Sequence, residues 1–425
     1  MILVIAHDYP DLSAEGICTK NLVDLLLSKG IPVLVLAGAP PGGSKSSFQQ
    51  GLLSVEYVPD PQLAHPLHPW RKGYLKAMEL TTGVVEQSSL WIKPAVARGQ
   101  ALLKSNPKVK AIYSRAVPGA GNVAGYYLSR RWPLPWIAHF GDPWPNAYLE
   151  AKSLVSRNLK RLSFNYWREK IFRRSHALTF ASWRLQDYYT SRDPAIGEKS
   201  FTLPHLYVQY PHGSEEADRG QENPGETLTL LHCGNLYGLR KPHSLLSGLA
   251  RVFASSSIKP NQIRLVFCGP AQWDLSRLIR ELHLQDSAVA LGKVSHEKSL
   301  AWQRSADVLV VIEADVPQSP FLPSKLIEYL SFPKPILALT PPDSQVAELL
   351  KAQPLPSVDV RDPAAIARAI RQLHSLREQR QLSRLRPSES LINRFSGEII
   401  WATFQTLLGR LNLTLDAGPV SPMQS

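Results

Sequence analysis

Short apolar runs that alternate with segments of helical spacing are the feature that most constrains the fold of this chain. Leu22, Leu25 and Leu26 recur at helical spacing between the first two runs, and Gly30 suits the C-cap of that helix. In the first half of the chain the apolar runs are residues 1–6, 31–38, 109–115, 134–140 and 176–182. This repeated order of strand and helix predicts an open, mostly parallel sheet wrapped by helices.

The same alternation begins again after residues 212–226, a polar and acidic segment with Pro and Gly that has the composition of an interdomain linker. The second set of apolar runs is residues 227–234, 263–269, 289–292, 306–314 and 334–340. We therefore predict an α/β protein with two doubly wound Rossmann-like domains, residues 1–211 and 227–395, that face a cleft. Ligands of such sheets bind beyond the carboxyl ends of the strands.

The remaining residues give weaker expectations about organisation and location. Residues 396–412 are amphipathic and predict a C-terminal helix that could pack back on the N-terminal domain, followed by a flexible tail at 413–425. The first residues lack the features of a secretory signal, and no stretch reaches the ~18 apolar residues that a bilayer span requires. We expect a cytoplasmic protein that could lie on the inner face of the membrane.

The three cysteines of the chain, Cys18, Cys233 and Cys268, are odd in number and widely spaced. This spacing indicates neither a disulfide framework nor a zinc site, and it fits a reducing compartment. Asp307, Glu313 and Asp315 are too weak a signal to indicate a divalent cation. We therefore expect no metal and no cofactor.

Positive charge is concentrated in the N-terminal half, since residues 1–211 carry +11 of the formal net charge of +13. Such charge suits phosphate, nucleic acid or an anionic membrane surface. Residues 151–174 hold eight Lys and Arg, one acid and several aromatic residues, and residues 65–76 form a weaker patch. The first segment suits an anionic membrane surface or is an ordinary solvated helix face. No nucleic-acid readout motif is recognised, so no nucleic-acid partner is expected.

A Gly-containing loop follows the first apolar run of the second domain. The run ends at Gly234, the loop carries Gly238, Arg240 and Lys241, and a helix begins after Pro242. A strand, a glycine loop, two cations and a helix N-terminus together predict a phosphate cradle, although a solvated basic turn has the same pattern. Neither the Walker pattern nor G-x-G-x-x-G is present.

Two segments of the C-terminal half, GNLYGLRKP at 234–242 and PSKLIEYLSFPKPIL at 323–337, resemble the C-terminal domain of the family 4 retaining glycosyltransferases of the GT-B fold. Residues 9–38 resemble the opening strand, glycine loop and first helix of that family, and residues 136–144 resemble its mid-domain histidine segment. The resemblance implies transfer of a sugar from a UDP- or GDP-sugar donor to an acceptor hydroxyl.

The resemblance places Glu328 at the second position of the family's paired-glutamate motif, where the carboxylate hydrogen-bonds the ribose of the donor. Ser324 and Lys325, at the start of the same helix, are assigned to the donor site with it. The alternative is a helix glutamate that only pairs with Lys325 or is solvated. Pro320 stands where the first glutamate should lie, which puts direct carboxylate contact with the sugar in doubt.

Backbone groups of Phe321 and Leu322, or the hydroxyl of Ser319, could replace that first glutamate. Lys241 matches the lysine that resembling enzymes place on the donor pyrophosphate. Asn235 stands where many of them carry an arginine, and Arg240 could supply the second charge. Fixed cations at this point lower the barrier because negative charge accumulates on the leaving phosphate.

In the N-terminal half the resemblance implies that His139 acts at the end of a strand, facing the cleft, where it donates to a sugar hydroxyl or positions the acceptor; a structural histidine is the alternative. Gly16 is expected in the loop after the first strand, where a ligand can approach the backbone, or at an ordinary helix entry. Asp142 is an acceptor-side carboxylate or, more simply, the turn residue before Pro143.

The resemblance thus implies a retaining glycosyltransferase, which we expect to be metal-independent and to act on a glycan or a lipid-linked acceptor in the assembly of envelope polysaccharide or glycolipid. Basic side chains and a helix dipole would take the place of a cation. The alternative, prompted by Pro320 and Asn235, is a degenerate member of the family that binds nucleotide sugar or lipid without turnover.

Overall fold

The described residues belong to two α/β units. In the computed structural model they are residues 1–10, 13–40, 47–62, 88–116, 118–144, 154–209 and 227–415. The first unit is Met1–Leu206 with Gly397–Ser425, and the second is Tyr207–Ser396. The predicted linker 212–226, the basic patch 65–76 and residues 416–425 of the predicted tail lie outside the described residues.

A mostly parallel sheet of eight strands forms the centre of the first unit. The strands are β1 (Ile2–Ile5), β2 (Val33–Gly38), β3 (Phe48–Gln50), β4 (Leu53–Val58), β5 (Ala111–Ala116), β6 (Trp136–Phe140), β7 (Ala177–Phe180) and β8 (Ser200–Thr202). Their order is β3-β4-β2-β1-β5-β6-β7-β8, and among these described strands only β3 and β4 pair antiparallel. Strands β1, β2, β5 and β6 are buried along their whole length, as expected for a parallel sheet covered on both faces.

Before residue 207, the described part of the first unit holds five α-helices. They are α1 (Ala14–Ser28), α2 (Ile92–Ser105), α3 (Ala120–Arg131), α4 (Leu154–Arg174) and α5 (Trp183–Thr190). Local sequence determines both ends of α1, because the side chain of Ser13 accepts a hydrogen bond from the backbone N–H of Gly16 and Gly30 takes a φ of 74° beyond the last turn. Leu22, Leu25 and Leu26 are the buried face that the helical spacing predicted.

A wholly parallel sheet of six strands forms the centre of the second unit. The strands are β9 (Leu228–Cys233), β10 (Ile263–Cys268), β11 (Ala288–Gly292), β12 (Val308–Ile312), β13 (Ile336–Thr340) and β14 (Val358–Asp359), in the order β11-β10-β9-β12-β13-β14. The helices are α6 (His243–Ser255), α7 (Leu275–Glu281), α8 (His296–Ser305), α9 (Ser324–Tyr329), α10 (Gln345–Leu350), α11 (Pro363–Glu378) and α12 (Glu389–Asn393). Short 3₁₀ helices across both units are Ser89–Trp91, Pro194–Lys199, Pro260–Gln262 and Leu382–Leu385.

The last helix of the chain, α13 (Gly397–Arg410), belongs to the first unit. Its side chains Ile400, Phe404 and Leu407 lie in one hydrophobic cluster with Ile2 and Val4 of β1. Each of these side chains is at most 1% exposed, and full burial of such a group contributes roughly 1.5–3 kcal/mol relative to exposure. The C-terminal helix therefore covers one face of the first sheet. No helix of the described ranges is long and apolar enough to cross a membrane.

In both sheets the order of the strands reverses beside the first strand of the unit. The reversal lies between β1 and β5 in the first sheet and between β9 and β12 in the second. At such a point the loops that follow the two central strands turn to opposite faces of the sheet, which leaves a crevice at the carboxyl edge. The loops after β1, β5, β9 and β12 therefore border these two crevices.

Candidate functional site

The loop that follows β9 is tied to the loop that follows β10. Gly234 donates its backbone N–H to the carbonyl of the last residue of β10 at 2.9 Å, and Gly238 donates to Gln272 Oε1 at 3.0 Å. Gly269 has a φ of 140°, and a Cβ atom there would lie 2.3 Å from the carbonyl oxygen of Gly234. The absence of a side chain at Gly269 is thus what lets the two loops meet. These contacts fix the backbone of the predicted phosphate loop.

The cations of this loop form no ion pair with the residues that the structure describes. Arg240 is half-buried, its Nε is buried without a hydrogen-bond partner among the described residues, and its guanidinium carbon lies 5.4 Å from the ring centroid of Tyr237. Lys241 and Asn235 are exposed. A buried guanidinium nitrogen without a partner is costly, so the loop offers positive charge that suits an anionic ligand.

Glu328, on α9, is held by three side chains. Lys325 Nζ and Gln303 Nε2 each donate to Oε1 at 2.6 Å, and His296 Nε2 lies 3.5 Å from Oε2. The side chain of Glu328 is 10% exposed and that of Lys325 is 25% exposed, so this is not a surface ion pair. Oε1 therefore already has two donors, whereas the contact of Oε2 with His296 is longer.

The surroundings of Glu328 keep it ionised. Burial raises the pKa of this carboxyl group, but His296, Lys325 and Gln303 outweigh burial and lower the pKa from 4.5 to about 2. The group therefore carries a full negative charge at neutral pH. An ionised carboxylate is an acceptor only, and hydroxyl groups of a ligand are suitable donors to it.

His232, the second-last residue of β9, lies near both the cationic loop at residues 234–241 and the helix α9. Burial first, and then the charges of Arg240 and Lys325, lower the pKa of His232 to about 4. The stem of Lys325 also comes within 4.0 Å of the position that a Cβ atom on Gly234 would take. Gly234, Arg240, Lys325 and Glu328 are thus gathered at the carboxyl edge of the second sheet, at the reversal between β9 and β12.

The hydroxyl of Ser319 does not replace the missing first glutamate. Ser319 Oγ donates a short hydrogen bond to Oε1 of Glu313, and Thr340 Oγ1 donates another to Oε2. Ser319, Glu313 and Thr340 are each at most 1% exposed. The interpretation of Ser319 as a ligand group is therefore wrong, because its hydroxyl is used inside the sheet. Pro320, the next residue, offers no backbone N–H.

The two residues that follow Pro320 can offer only their main chain. The side chains of Phe321 and Leu322 are 7% and 4% exposed, and Phe321 N–H lies 3.4 Å from Ser319 Oγ. Ser324 is the first residue of α9 and is half-buried. These predicted donor-site residues lie on the same short segment as Lys325.

His139 does not emerge from the first sheet as the sequence predicted. It is the second-last residue of β6, is 1% exposed, and its ring lies 6.1 Å from that of Tyr113. Its Nδ1 lies 3.1 Å from Thr179 Oγ1, and its Nε2 has no hydrogen-bond partner among the described residues. Burial, with the charge of Arg115, lowers the pKa of His139 well below 6.5, so the ring is neutral.

An ion pair that the sequence did not predict lies at the carboxyl edge of the first sheet. Arg115 Nε, near the end of β5, donates to Glu15 Oε1 at 2.8 Å. Burial raises the pKa of Glu15 to about 7 although Arg115 lowers it, and Asp142 adds a smaller upward effect. Asp142 therefore lies near Glu15, in the bend after β6 and beside Gly141, whose added Cβ would lie 3.0 Å from Glu15 Oε2.

The expectation that Gly16 lies in a ligand-binding loop is wrong. Gly16 is in the first turn of α1, is buried, and uses its backbone N–H in the hydrogen bond to Ser13 Oγ. The helix begins earlier than expected because Ser13 is an effective N-cap. Gly16 is therefore an ordinary glycine at the start of a helix, which was the alternative interpretation.

No group of three or more His, Cys, Asp and Glu side chains is placed to hold a metal ion within the described ranges. The three cysteines are all buried and none forms a disulfide. Two of them end neighbouring strands, since Cys233 of β9 is in register with Cys268 of β10.

Gln303 and His296 are members of the second-unit cluster that the sequence did not identify. Both come from α8, and Gln303 is fully buried. No local pattern around them differs from that of an ordinary helix. Only packing brings them to Glu328, so a single sequence carries no signal for them.

Comparison with solved structures shows a known fold over nearly the whole chain. Sucrose-phosphate synthase from Thermosynechococcus elongatus matches 97% of this chain and 98% of its own, with a TM-score of 0.69 and 14% identity. HepE from Anabaena, in complex with UDP and glucose, matches 96% and 99%, with a TM-score of 0.67 and 16% identity. A UDP-forming trehalose-phosphate synthase from Burkholderia xenovorans matches 97% and 99%, with a TM-score of 0.62 and 12% identity.

These structural neighbours are glycosyltransferases of the GT-B fold, and the likeness confirms the predicted fold class of two Rossmann-like α/β domains. No protein-family model matches the sequence, and no curated protein matches it. At such low identity the likeness defines the fold alone.

Proposed function

We propose that this protein is a glycosyltransferase that moves a sugar from a nucleotide-diphosphate sugar to an acceptor hydroxyl. The observation that carries the proposal is the ionised Glu328 beside a glycine loop whose cation Arg240 has no acidic partner among the described residues. A nucleoside diphosphate has hydroxyl groups for the carboxylate and phosphates for the cations. The complexes of HepE with UDP, with UDP and glucose, and with UDP-glucose support this ligand class.

In this proposal Glu328 Oε2 accepts a hydrogen bond from a ribose hydroxyl, because Oε1 already has two donors. Arg240 and Lys241 bind the diphosphate, with the backbone N–H of Leu322 as a further donor. UDP and GDP are both suitable, since no described contact chooses between the bases.

The fixed cations would also serve catalysis. As the bond to the sugar breaks, negative charge grows on the leaving diphosphate, and preorganised positive groups stabilise that transition state. We infer that Arg240, Lys241 and Lys325 supply this charge without a metal ion. Retention follows if the acceptor attacks from the face that the diphosphate leaves, with the leaving phosphate taking the acceptor proton, which requires no separate strong base.

In the first unit His139 and Asp142 remain the proposed acceptor-side residues. The neutral His139 ring has a buried Nε2 without a partner among the described residues, so it could donate to or accept from a sugar hydroxyl that reaches it. Asp142 lies in the bend after β6 and is half-buried. The acceptor is proposed to be a glycan or a lipid-linked sugar of the cell envelope.

Mass spectrometry of products tests the proposed function. Purified protein would be incubated with a panel of UDP- and GDP-sugars and a membrane extract, beside the variants Lys241→Ala and Glu328→Gln. A glycosylated product that both variants reduce supports the proposal, with Lys351→Ala, an exposed lysine elsewhere in the second unit, as the control. Binding of UDP or GDP by the wild type without any product would instead favour the degenerate binder that Pro320 and Asn235 suggest.

We also propose that the exposed face of α4 binds an anionic membrane surface. Phe164, Trp167, Ile171 and Phe172 bury one face of the helix. The described part of α4 also exposes cations together with apolar groups; these are Arg161, Leu162 (67% exposed), Tyr166 (53% exposed), Arg173 and Arg174. Cations interleaved with apolar side chains suit the interface of an anionic bilayer.

Vesicle flotation would test this surface. The wild type should bind phosphatidylcholine vesicles that contain phosphatidylglycerol and not vesicles of phosphatidylcholine alone. The double variant Arg161→Gln/Leu162→Ser should lose that binding, whereas Arg280→Gln, which removes an exposed cation from the second unit, should keep it. Equal binding of both variants would contradict the assignment to α4.

A further inference from the structure

A fully buried glutamine lies against the carboxylate of Glu328. Gln303 of α8 is 0% exposed, and its Nε2 donates to Glu328 Oε1 at 2.6 Å and to Ser299 Oγ at 3.0 Å. Ser299, one turn earlier on the same helix, is itself buried. The carboxamide is thus fixed at both of its N–H groups. The carboxylate is held from α8 as well as from its own helix.

The other end of this carboxamide shows that the arrangement does not simply maximise stability. Gln303 Oε1 is buried and has no hydrogen-bond partner among the described residues. A flipped amide would bring this carbonyl oxygen against the negative Glu328, so the orientation is fixed by charge. A buried acceptor without a donor costs free energy, and an apolar side chain of the same size would avoid that cost. What the glutamine supplies is a donor to Glu328.

Lys325 cannot supply the same constraint once an anion is present. Its ammonium also donates to Glu328 Oε1, but the side chain is 25% exposed and its flexible stem lies beside Gly234 of the cationic loop. A diphosphate bound at that loop would attract the ammonium and compete with Glu328 for it. Gln303 is neutral and buried, so a phosphate does not draw it away.

We propose that Gln303 is a positioning residue that holds Glu328 Oε1, so that Oε2 faces a ribose hydroxyl of the nucleotide. This inference rests on the proposed function and adds a residue to it. Gln303 touches neither the ribose nor the phosphates in this proposal and acts only through Glu328. Its removal should therefore affect ligands that carry the ribose hydroxyls and spare those that lack them.

Titration calorimetry tests the inference. It first shows which of UDP and GDP the wild type binds more tightly, and it then measures binding of that nucleotide and of its 2′,3′-dideoxy form. Gln303→Met keeps the length of the side chain and removes both donors. We expect it to weaken binding of the full nucleotide roughly tenfold, the value of one lost hydrogen bond to a charged group, and to leave the dideoxy form within about twofold. In a Glu328→Gln background the same substitution should add little further loss.

Gln345→Met is the matched control, because Gln345 is also a fully buried glutamine of the second unit. It should lower the melting temperature without selecting between the two nucleotide forms. Equal loss of both forms in Gln303→Met would make Gln303 merely structural, and no loss would also overturn the inference. If the wild type binds neither nucleotide, the proposed function fails first. If the wild type binds the full and dideoxy forms equally, the protein binds the diphosphate. The proposed contact of Glu328 with the ribose, and with it the positioning role of Gln303, is then wrong.

Discussion

His7 Nε2 lies 2.8 Å from Asp60 Oδ2, and this contact joins the segments that follow β1 and β4 in the first unit. Its Nδ1 lies 2.6 Å from Asp8 Oδ1, so the imidazole is held between two carboxylates. Burial lowers the pKa of His7, but the hydrogen bonds with Asp60 and Asp8 outweigh burial and raise the pKa from 6.5 to about 9. The ring is therefore an imidazolium at neutral pH.

The free energy of unfolding should depend on His7 between pH 6.5 and pH 9. Because the pKa is higher in the folded state, the contribution of the charged ring is fully present below pH 6.5 and is lost as the pH rises through 9. A shift of this size corresponds to a contribution on the order of 3 kcal/mol. Denaturant unfolding of the wild type and His7→Gln across this range would measure it. A difference between the two proteins that does not shrink with rising pH would contradict the prediction.

Replacing Glu328 by glutamine should weaken UDP or GDP binding by roughly tenfold, because a neutral amide is a poorer acceptor for a hydroxyl than a carboxylate. Since the pKa of Glu328 is about 2, acidification from neutral pH to pH 4.5 should not change the affinity through this group. The stabilising effect of its lowered pKa is present above pH 4.5 and is lost as the pH falls through 2. Titration calorimetry measures the affinity, with Glu281→Gln on the exposed side of α7 as the control.

Arg240→Gln should separate ligand binding from stability. The guanidinium forms no ion pair with the described residues and leaves its buried Nε without a partner, so its removal should keep or raise the melting temperature. The same substitution should weaken UDP binding by about tenfold or more while leaving uridine binding unchanged, because only the diphosphate meets the cation. A fall in melting temperature together with unchanged UDP affinity would show that Arg240 is a structural residue.

Gly269→Ala should be strongly destabilising. The new methyl group would lie 2.3 Å from the carbonyl oxygen of Gly234, and the φ of 140° is strained for any side chain. We expect a loss of at least about 3 kcal/mol and weaker nucleotide binding, because the two loops would have to separate. Gly292→Ala is the matched control, since its φ is also positive but nothing lies within 4 Å of the new atom. It should cost only about 1 kcal/mol in denaturant unfolding.

The strands were predictable because each central strand is buried on both faces and therefore reads as a continuous apolar run. The sequence did not predict strands β3, β4, β8 and β14, none of which is buried along its whole length. Among the helices that the sequence did not predict is α3, eight of whose 12 residues are buried. Its Gly121 would place a Cβ atom 2.3 Å from the carbonyl of Arg115, a close approach that no periodicity reveals.

For the candidate site, the sequence found the parts that lie on one segment and missed those that come from another. Spacing placed Arg240 after a strand and put Lys325 and Glu328 on one turn of helix, and the resemblance assigned these residues to a donor site. Gln303 reaches Glu328 from another helix, 25 residues away in sequence. The role expected of Ser319 failed because a single sequence does not show which buried carboxylate, here Glu313, takes up its hydroxyl.

Because all three thiols are buried, their rates of alkylation report how often the structure around each of them opens. Cys18 lies on α1 of the first unit, whereas Cys233 and Cys268 end β9 and β10 of the second. An alkylating reagent can reach each sulfur only when the structure around it opens. Peptide mapping of the alkylated sites over time would therefore report the opening of each unit separately, with no engineered probe.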